Sequence, residues 1–356
     1  MAHLPDAAAP PPPPPPRGPA RTGDDGLPPS RALHPVRRTY AALDLGTNNC
    51  RLLIARPAPE GFTVVDAFSR IVRLGEGLSA SGRLSEAAMD RAVDALGVCA
   101  DKLRRRHVSL VRSVATEACR RASNGAAFVE RVRAETGIAL DVISAEQEAR
   151  LAVGGCQVLL EPGDGPALIF DIGGGSTELV LLDGDAAAPV IRDWYSAPWG
   201  VVSLAEVEPH GQGAPETLAA AYAAMRARVA ESFRPFAERL PPGDDRPLRL
   251  LGTSGTVTTL ASLHLGLRSY DRRAVDGLVM PVAGMREVAA RLAALTVAER
   301  AGVACIGQER ADLVVAGCAI LEAILDLWPA RRLGIADRGI REGILRSLMA
   351  RDLGRG

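Results

Sequence analysis

Residues 167–182 read ALIFDIGGGSTELVLL: an apolar segment ending near Asp171, three successive glycines, and a second apolar segment that includes Glu178. The two apolar segments predict buried strands joined by a tight turn. Three glycines pack no side chains and lose conformational entropy on folding, so a plain hairpin does not need them. They do allow backbone N–H groups to approach an anion. Taken alone, the stretch fits either a structural hairpin or a hairpin whose turn binds an anion.

The same device occurs earlier in the chain. Residues 40–55 read YAALDLGTNNCRLLIA, with Asp44 at the position that matches Asp171. A carboxylate at the end of a buried strand is costly unless it binds a metal ion or a bound water. The repeat favours the anion-binding interpretation and predicts two homologous domains facing each other across a cleft. Helical spacing between the hairpins predicts helices over residues 85–106, with Ser85 as N-cap, and over residues 125–136, and residues 139–143 predict a further strand. Together these give an α/β fold with a mixed sheet.

Three further segments are candidates for chemistry. Glu178 lies in an otherwise apolar strand, so it is either an exposed strand start or a buried carboxylate that meets a cation or water. Glu148 falls in a first helical turn, where carboxylates are also common for electrostatic reasons alone. Residues 252–256, GTSGT, lie at a strand-to-helix junction and predict either a tight structural turn or an anion site at a helix N-terminus.

Composition limits the class of protein. The chain has 356 residues, 47% of them hydrophobic, and zero formal net charge, so two domains are expected and neither nucleic acid nor a membrane is predicted as a partner. Six scattered cysteines predict a reducing, cytoplasmic location. Lys102 is the only lysine and no glycine precedes it, which excludes a Walker-A loop. Residues 1–37 are proline-rich and predict a disordered or polyproline II tail, either passive or bound by an SH3-like partner.

Five segments, in chain order, resemble the exopolyphosphatase/guanosine pentaphosphate phosphohydrolase family. They are ALDLGTN at 42–48, SAEQEAR at 144–150, FDIGGGSTELV at 170–180, GTSGT at 252–256 and DRGIREG at 337–343. The resemblance implies the actin-like ATPase (ribonuclease-H-like) fold, with two similar domains around a cleft. The expected domains are residues 38–160 and 161–352, with the last helix packing back on the first domain.

The resemblance also implies roles for individual residues. Glu148 matches the family's proposed base and Glu178 a second catalytic carboxylate. Asp44, Asp171 and Glu178 are implied to lie at a Mg²⁺ or Mn²⁺ ion and its waters. The implied phosphate-binding residues are Gly46, Thr47, Asn48, Arg120, Gly173, Gly174, Gly175, Ser176, Gly252, Ser254, Gly255 and Thr256.

The implied activity is release of terminal orthophosphate from inorganic polyphosphate, or conversion of guanosine pentaphosphate to tetraphosphate in the stringent response. A non-hydrolytic actin-like protein that binds a nucleotide or an alarmone is the alternative, and the presence of both Glu148 and Glu178 argues against it. The family often has a serine where this chain has Asn49. Long members carry a further helical C-terminal domain, so this chain is expected to resemble the short, two-domain form, with a homodimer as the candidate assembly.

Overall fold

Two β-sheets with helices packed against them make up the computed structural model, which describes residues 38–163, 165–183, 190–239 and 247–353. The predicted tail, residues 1–37, lies outside the described residues. Within the described ranges, no helix is both long enough and apolar enough to span a membrane.

The first sheet has five strands in the order β3-β2-β1-β4-β5. Its strands are β1 Tyr40–Leu45, β2 Asn49–Ala58, β3 Gly61–Ile71, β4 Leu110–Ala115 and β5 Asp141–Val142. The helices of this part are α1 Leu78–Ser81, α2 Glu86–Arg105, α3 Glu117–Arg121, α4 Gly125–Thr136 and α5 Ala145–Cys156. Ser85 caps α2 as expected, because its side chain accepts a hydrogen bond from the Ala88 amide.

The second sheet has six strands in the order β10-β11-β9-β6-β7-β8. Its strands are β6 Ala167–Ile172, β7 Thr177–Asp183, β8 Val190–Ala197, β9 Arg249–Thr253, β10 Val279–Pro281 and β11 Arg332–Ala336. The helices of this part are α6 Val201–Val207, α7 Pro215–Ala237, α8 Gly255–His264, α9 Arg272–Val275, α10 Val282–Ala293, α11 Val297–Ala301, α12 Val314–Leu327 and α13 Ile340–Leu353.

Both sheets repeat one topology. From β3 to β5, two antiparallel pairings are followed by two parallel pairings, and the series β8-β7-β6-β9-β11 repeats this sequence of pairings. In the first hairpin Asp44 pairs with Arg51, and in the second Asp171 pairs with Glu178. The shared topology confirms the predicted α/β class with two similar halves.

The last helix, α13, packs against β1 and α5. The contact is unusually close because two of the residues in it are glycines, which have no side chain to keep the backbones apart. A Cβ on Gly155 would lie 1.9 Å from the Gly339 oxygen, and one on Gly343 would lie 2.0 Å from the Leu151 oxygen. Helix α13 and the residue before it therefore approach α5 at backbone distance.

Candidate active site

One cleft is bordered by the carboxyl ends of the central strands β1 and β6, and both sheets contribute to its walls. Most residues predicted for the site line it. They are Asp44, Gly46, Thr47, Asn48, Glu148, Asp171, Gly173, Gly174, Gly175, Ser176, Glu178, Ser254, Gly255 and Thr256. Arg120 and Gly252 are not among the lining residues.

The repeated sequence pattern, in which a strand with an aspartate near its end is followed by a glycine-containing turn, forms the same turn in both places. In the first loop, residues 46–49, the Gly46 amide donates to the Asn49 carbonyl at 2.9 Å. In the glycine loop, residues 173–176, the Gly173 amide donates to the Ser176 carbonyl at the same distance. Each turn follows directly on a strand that carries a carboxylate at its end. The two halves thus present matching loops to one cleft.

Contact between these loops explains two of the three glycines. A Cβ on Gly174 would lie 2.9 Å from the Asn48 nitrogen, and one on Gly175 would lie 2.7 Å from Thr47 Oγ1. Real Cβ atoms do not approach other atoms this closely, so any side chain would push the first loop away. The glycine loop is therefore required for the approach of the two halves, in addition to any role in binding an anion.

Three carboxylates at the cleft are largely shielded from water: Glu178 is buried, and Asp44 and Asp171 are half-buried. Burial, and then the charge of Glu178, raise the pKa of Asp171 to about 8. Burial raises the pKa of Glu178 to about 7, although hydrogen bonds from Ser176 and Ser196 oppose the rise. Burial also raises the pKa of Asp44, whose Oδ1 atom has no hydrogen-bond partner. A cation or a donor in the cleft would relieve the cost of all three charges.

Glu148 lies in the first turn of α5, and only 6% of the residue is exposed. The helix start is fixed by a capping box, in which the Ser144 hydroxyl accepts from the Gln147 amide and the Gln147 side chain accepts from the Ser144 amide. Burial, followed by the charge of Glu178, raises the pKa of Glu148 well above its ordinary value. A buried carboxylate with a raised pKa, held on a fixed helix end and facing a cleft, can serve as a general base.

Arg120 lies beside Glu148 and not on the cleft wall. Its Nη1 atom donates to Glu148 Oε2 at 3.1 Å and to the Ile143 carbonyl at 2.7 Å. Its Nη2 atom donates to Glu117 Oε2 at 2.6 Å. Arg120 was predicted to face phosphate; in the structure its guanidinium orients the Glu148 carboxylate, and a phosphate contact stays a prediction.

The third predicted loop begins helix α8. The Ser254 hydroxyl accepts hydrogen bonds from the amides of Thr256 and Val257, so those two donors are already used. Gly252 lies in strand β9, where a Cβ would be 2.6 Å from the Phe170 ring. Its lack of a side chain is thus explained by packing in the second sheet, whereas Ser254 and its neighbour Gly255 border the cleft.

Two arginines of the cleft were not anticipated as site residues. Arg51 and Arg310 both line it. Arg51 has a recognisable signal, since its partner across the first hairpin is Asp44. Arg310 precedes α12 in a segment with no local pattern that marks it as functional. With these guanidinium groups, the cleft has cationic groups as well as carboxylates.

The donor set suits a hard cation only in part. Oxygen ligands such as Asp44, with its unpartnered Oδ1 atom, are those that Mg²⁺ and Mn²⁺ prefer. Across the described ranges, however, no three His, Cys, Asp or Glu side chains are grouped closely enough to hold a metal ion. A cation here would need ligands from a phosphate and from water, which is the usual coordination of Mg²⁺ at phosphate sites.

Comparison with solved structures agrees with this architecture. An exopolyphosphatase from Cytophaga hutchinsonii is 26% identical, with a TM-score of 0.77, and the match covers 88% of this chain and 98% of that one. The Aquifex aeolicus Ppx/GppA enzyme is 29% identical, with a TM-score of 0.70, over 87% of this chain and 99% of that one.

Sequence comparison gives the same result. Exopolyphosphatase 2 of Mycobacterium tuberculosis is 34% identical over an alignment of 326 residues, and the match covers 86% of this chain and 98% of the relative. A guanosine-5'-triphosphate,3'-diphosphate pyrophosphatase of Aeromonas hydrophila is 28% identical over 317 residues, 87% of this chain but 59% of that longer protein. Residues 53–352 match the Ppx/GppA phosphatase family. The chain therefore belongs to the Ppx/GppA phosphatase family.

Proposed function

We propose that the protein hydrolyses the terminal phosphoanhydride of inorganic polyphosphate or of guanosine pentaphosphate and releases orthophosphate. The observation that carries the proposal is Glu148, a buried carboxylate held by Arg120 and facing a cleft lined by two matching loops. Relatives named exopolyphosphatase and guanosine-5'-triphosphate,3'-diphosphate pyrophosphatase support it. Both substrates present the same terminal anhydride. Polyphosphate is the first candidate, because the match spans 98% of the exopolyphosphatase relative.

In the proposed mechanism Glu148 accepts a proton from the attacking water. Its raised pKa makes it a stronger base than an ordinary carboxylate, and Arg120 fixes the direction of the carboxylate. The loop amides that remain free would hold the non-bridging phosphate oxygens, with Arg51 and Arg310 adding positive charge. Hydrolysis of a phosphoanhydride needs little covalent chemistry from the protein, so positioning and charge supply most of the rate.

We further propose that Asp44, Asp171 and Glu178 border the site of a Mg²⁺ or Mn²⁺ ion and hold it in part through bound water, with a substrate phosphate supplying further ligands. The unpartnered Asp44 Oδ1 atom and the raised pKa values of Asp171 and Glu178 support this, because the nearby arginines and hydroxyls do not fully offset the cost of burying these carboxylates. A bound divalent cation would neutralise charge that develops on the transferred phosphate.

Removal of divalent cations should abolish activity. With excess chelator we expect the rate to fall by roughly a hundredfold or more, because a catalytic cation contributes several kcal/mol of charge stabilisation. Added Mg²⁺ should restore the rate and raise Tm, since binding to the folded state alone stabilises it. Full activity in chelator together with an unchanged Tm would contradict the metal assignment.

A phosphate-release assay tests the proposed function. Purified protein with Mg²⁺ should release orthophosphate from polyphosphate, from guanosine pentaphosphate, or from both, and the ratio of kcat/KM values identifies the preferred substrate. The alternative, a non-hydrolytic protein that binds a nucleotide or alarmone, predicts saturable binding of the nucleotide without phosphate release. No release from either substrate, with binding intact, would refute the hydrolase proposal.

A further inference from the structure

The turn that follows β3 is hydrogen-bonded directly to the first loop. The amides of Val72 and Arg73 donate to the Asn48 carbonyl at 2.9 and 3.0 Å, and the Gly75 amide donates to the Thr47 carbonyl at 2.9 Å. Arg73 has φ of 48°, in the left-handed region that residues other than glycine seldom adopt. The turn is therefore held in an uncommon backbone conformation by the same loop that borders the cleft.

The Arg73 side chain leaves the first half of the protein and binds the second. Its Nη1 and Nη2 atoms donate to the two Asp312 carboxylate oxygens at 2.8 and 3.0 Å, and Nη2 also donates to the Glu309 carbonyl at 3.0 Å. This bidentate geometry fixes the orientation of the Arg73 guanidinium as well as its distance from the Asp312 carboxylate. Between the two acceptors in sequence lies Arg310, which lines the cleft. Arg73 thus binds the backbone before a cleft arginine and a side chain after it.

The same segment is anchored from inside the second half. The Arg300 side chain is fully buried, and its Nε atom donates to the Ala311 carbonyl at 2.8 Å. Residues 309–312 are therefore bound on one side by a core arginine and on the other by Arg73. Removal of Arg73 would leave the inner anchor intact, so the segment would lose its connection to the first half without losing its fold.

We propose that Arg73 is a positioning residue that acts through residues 309–312. By tying this segment to the turn beside the first loop, it sets the Arg310 guanidinium over the cleft at a fixed distance from that loop. The inference rests on the proposed function, in which both the first loop and Arg310 contact phosphates of one polyanion. Arg73 itself is not among the residues that line the cleft.

Replacing Arg73 by alanine should weaken substrate binding with little effect on the chemical step. The Arg73 and Asp312 side chains are 29% and 39% exposed, so solvent partly screens the attraction between their charges. We expect KM for tripolyphosphate to rise about fivefold and kcat to stay within about twofold, the pattern for loss of binding common to ground and transition states. Arg73→Lys keeps the positive charge but cannot bind the carboxylate in the same bidentate way, so its KM should lie between those of the wild type and Arg73→Ala.

Arg131 provides a matched control. Its side chain is 31% exposed and binds Asp90 and Glu135, within the helices of the first half. Arg131→Ala removes a comparable arginine pair without any contact across the cleft, so its KM should equal that of the wild type. Asp312→Ala should raise KM by as much as Arg73→Ala or less, because the contact of Arg73 with the Glu309 carbonyl stays. The double variant should be no worse than Arg73→Ala, which already removes both contacts.

Hydrogen exchange and calorimetry separate this inference from the proposed function. In Arg73→Ala, the amides of residues 309–314 should exchange faster, and the calorimetric Kd for tripolyphosphate should rise about fivefold even if no phosphate is released. If the wild type binds but does not hydrolyse, the proposed function fails while Arg73 is still tested. Unchanged exchange in that segment, unchanged Kd, or an equal shift in Arg131→Ala would overturn the role of Arg73.

Discussion

Glu148→Gln should lower kcat on polyphosphate by about 10²–10⁴, the usual contribution of a general base. The amide keeps the size of the side chain and can still accept a hydrogen bond from Arg120, but it cannot take a proton from water. KM should change little, because Glu148 acts in the transition state rather than in binding. The measurement is steady-state phosphate release at several substrate concentrations, with Mg²⁺ held constant.

Glu146→Gln is the matched control for this variant. Glu146 lies in the same first turn of α5, but its side chain is 47% exposed, pairs with Arg150 and does not line the cleft. Its kcat should stay near the wild-type value. Glu148→Gln should change Tm little, because the amide oxygen can still accept the hydrogen bond from Arg120 and the cost of burying a carboxylate is removed. A kcat for Glu148→Gln within a few-fold of wild type would remove the assignment of Glu148 as base.

The pH dependence of wild-type activity should also indicate that Glu148 is the base. Burial and the charge of Glu178 raise the pKa of Glu148, and the base acts only when deprotonated. We therefore expect kcat/KM to decrease on the acid side with an apparent pKa above 4.5, the ordinary pKa of a glutamate. This decrease should be altered in Glu148→Gln and unchanged in Glu146→Gln.

Gly155→Ala should destabilise the protein by about 3 kcal/mol, at the upper end of overpacking costs. The added Cβ would lie 1.9 Å from the Gly339 carbonyl oxygen, a backbone atom that cannot move without separating α5 from α13. Gly154→Ala is the neighbouring control, because a Cβ there has nothing within 4 Å. It should leave stability unchanged or raise it by up to about 1 kcal/mol, since alanine favours a helix interior over glycine.

Thermal unfolding of the two glycine variants side by side tests the contact. The expected result is a Tm several degrees lower for Gly155→Ala and equal or higher for Gly154→Ala. Equal Tm values would mean that the two helices can separate at no cost, contrary to the close packing of α5 and α13.

Much of the fold could be predicted because its evidence is local. The two strand–Asp–glycine turns, the Ser85 cap and the helix at residues 125–136 follow from short patterns, and all are present. Strands β8 and β10 were not anticipated, and the strand predicted over residues 139–143 pairs only at Asp141–Val142. Strand β10 has three residues and ends in proline, which is too short for an alternating pattern.

The site residues that belong to short sequence motifs could be predicted, whereas contacts between residues far apart in sequence could not. The carboxylates Asp44, Asp171 and Glu178 are marked by apolar neighbours, and the structure brings them to one cleft. The contact between Arg73 and Asp312 joins residues far apart in sequence, and no local pattern indicates such a pairing. Likewise, the packing of the glycine loop against the first loop depends on the distance between two sheets, which composition does not determine.

The register of the two hairpins makes the cleft electrically one-sided. Their turns are closed by the same hydrogen bond, yet the residue paired with the strand-end aspartate is Arg51 in the first half and Glu178 in the second. One strand position thus carries opposite charges in two otherwise equivalent places. A symmetric pair of loops would accept a polyanion in either direction, whereas direct attraction by Arg51 at one loop, and attraction only through a bound cation beside Glu178 at the other, would give an anionic chain a preferred orientation.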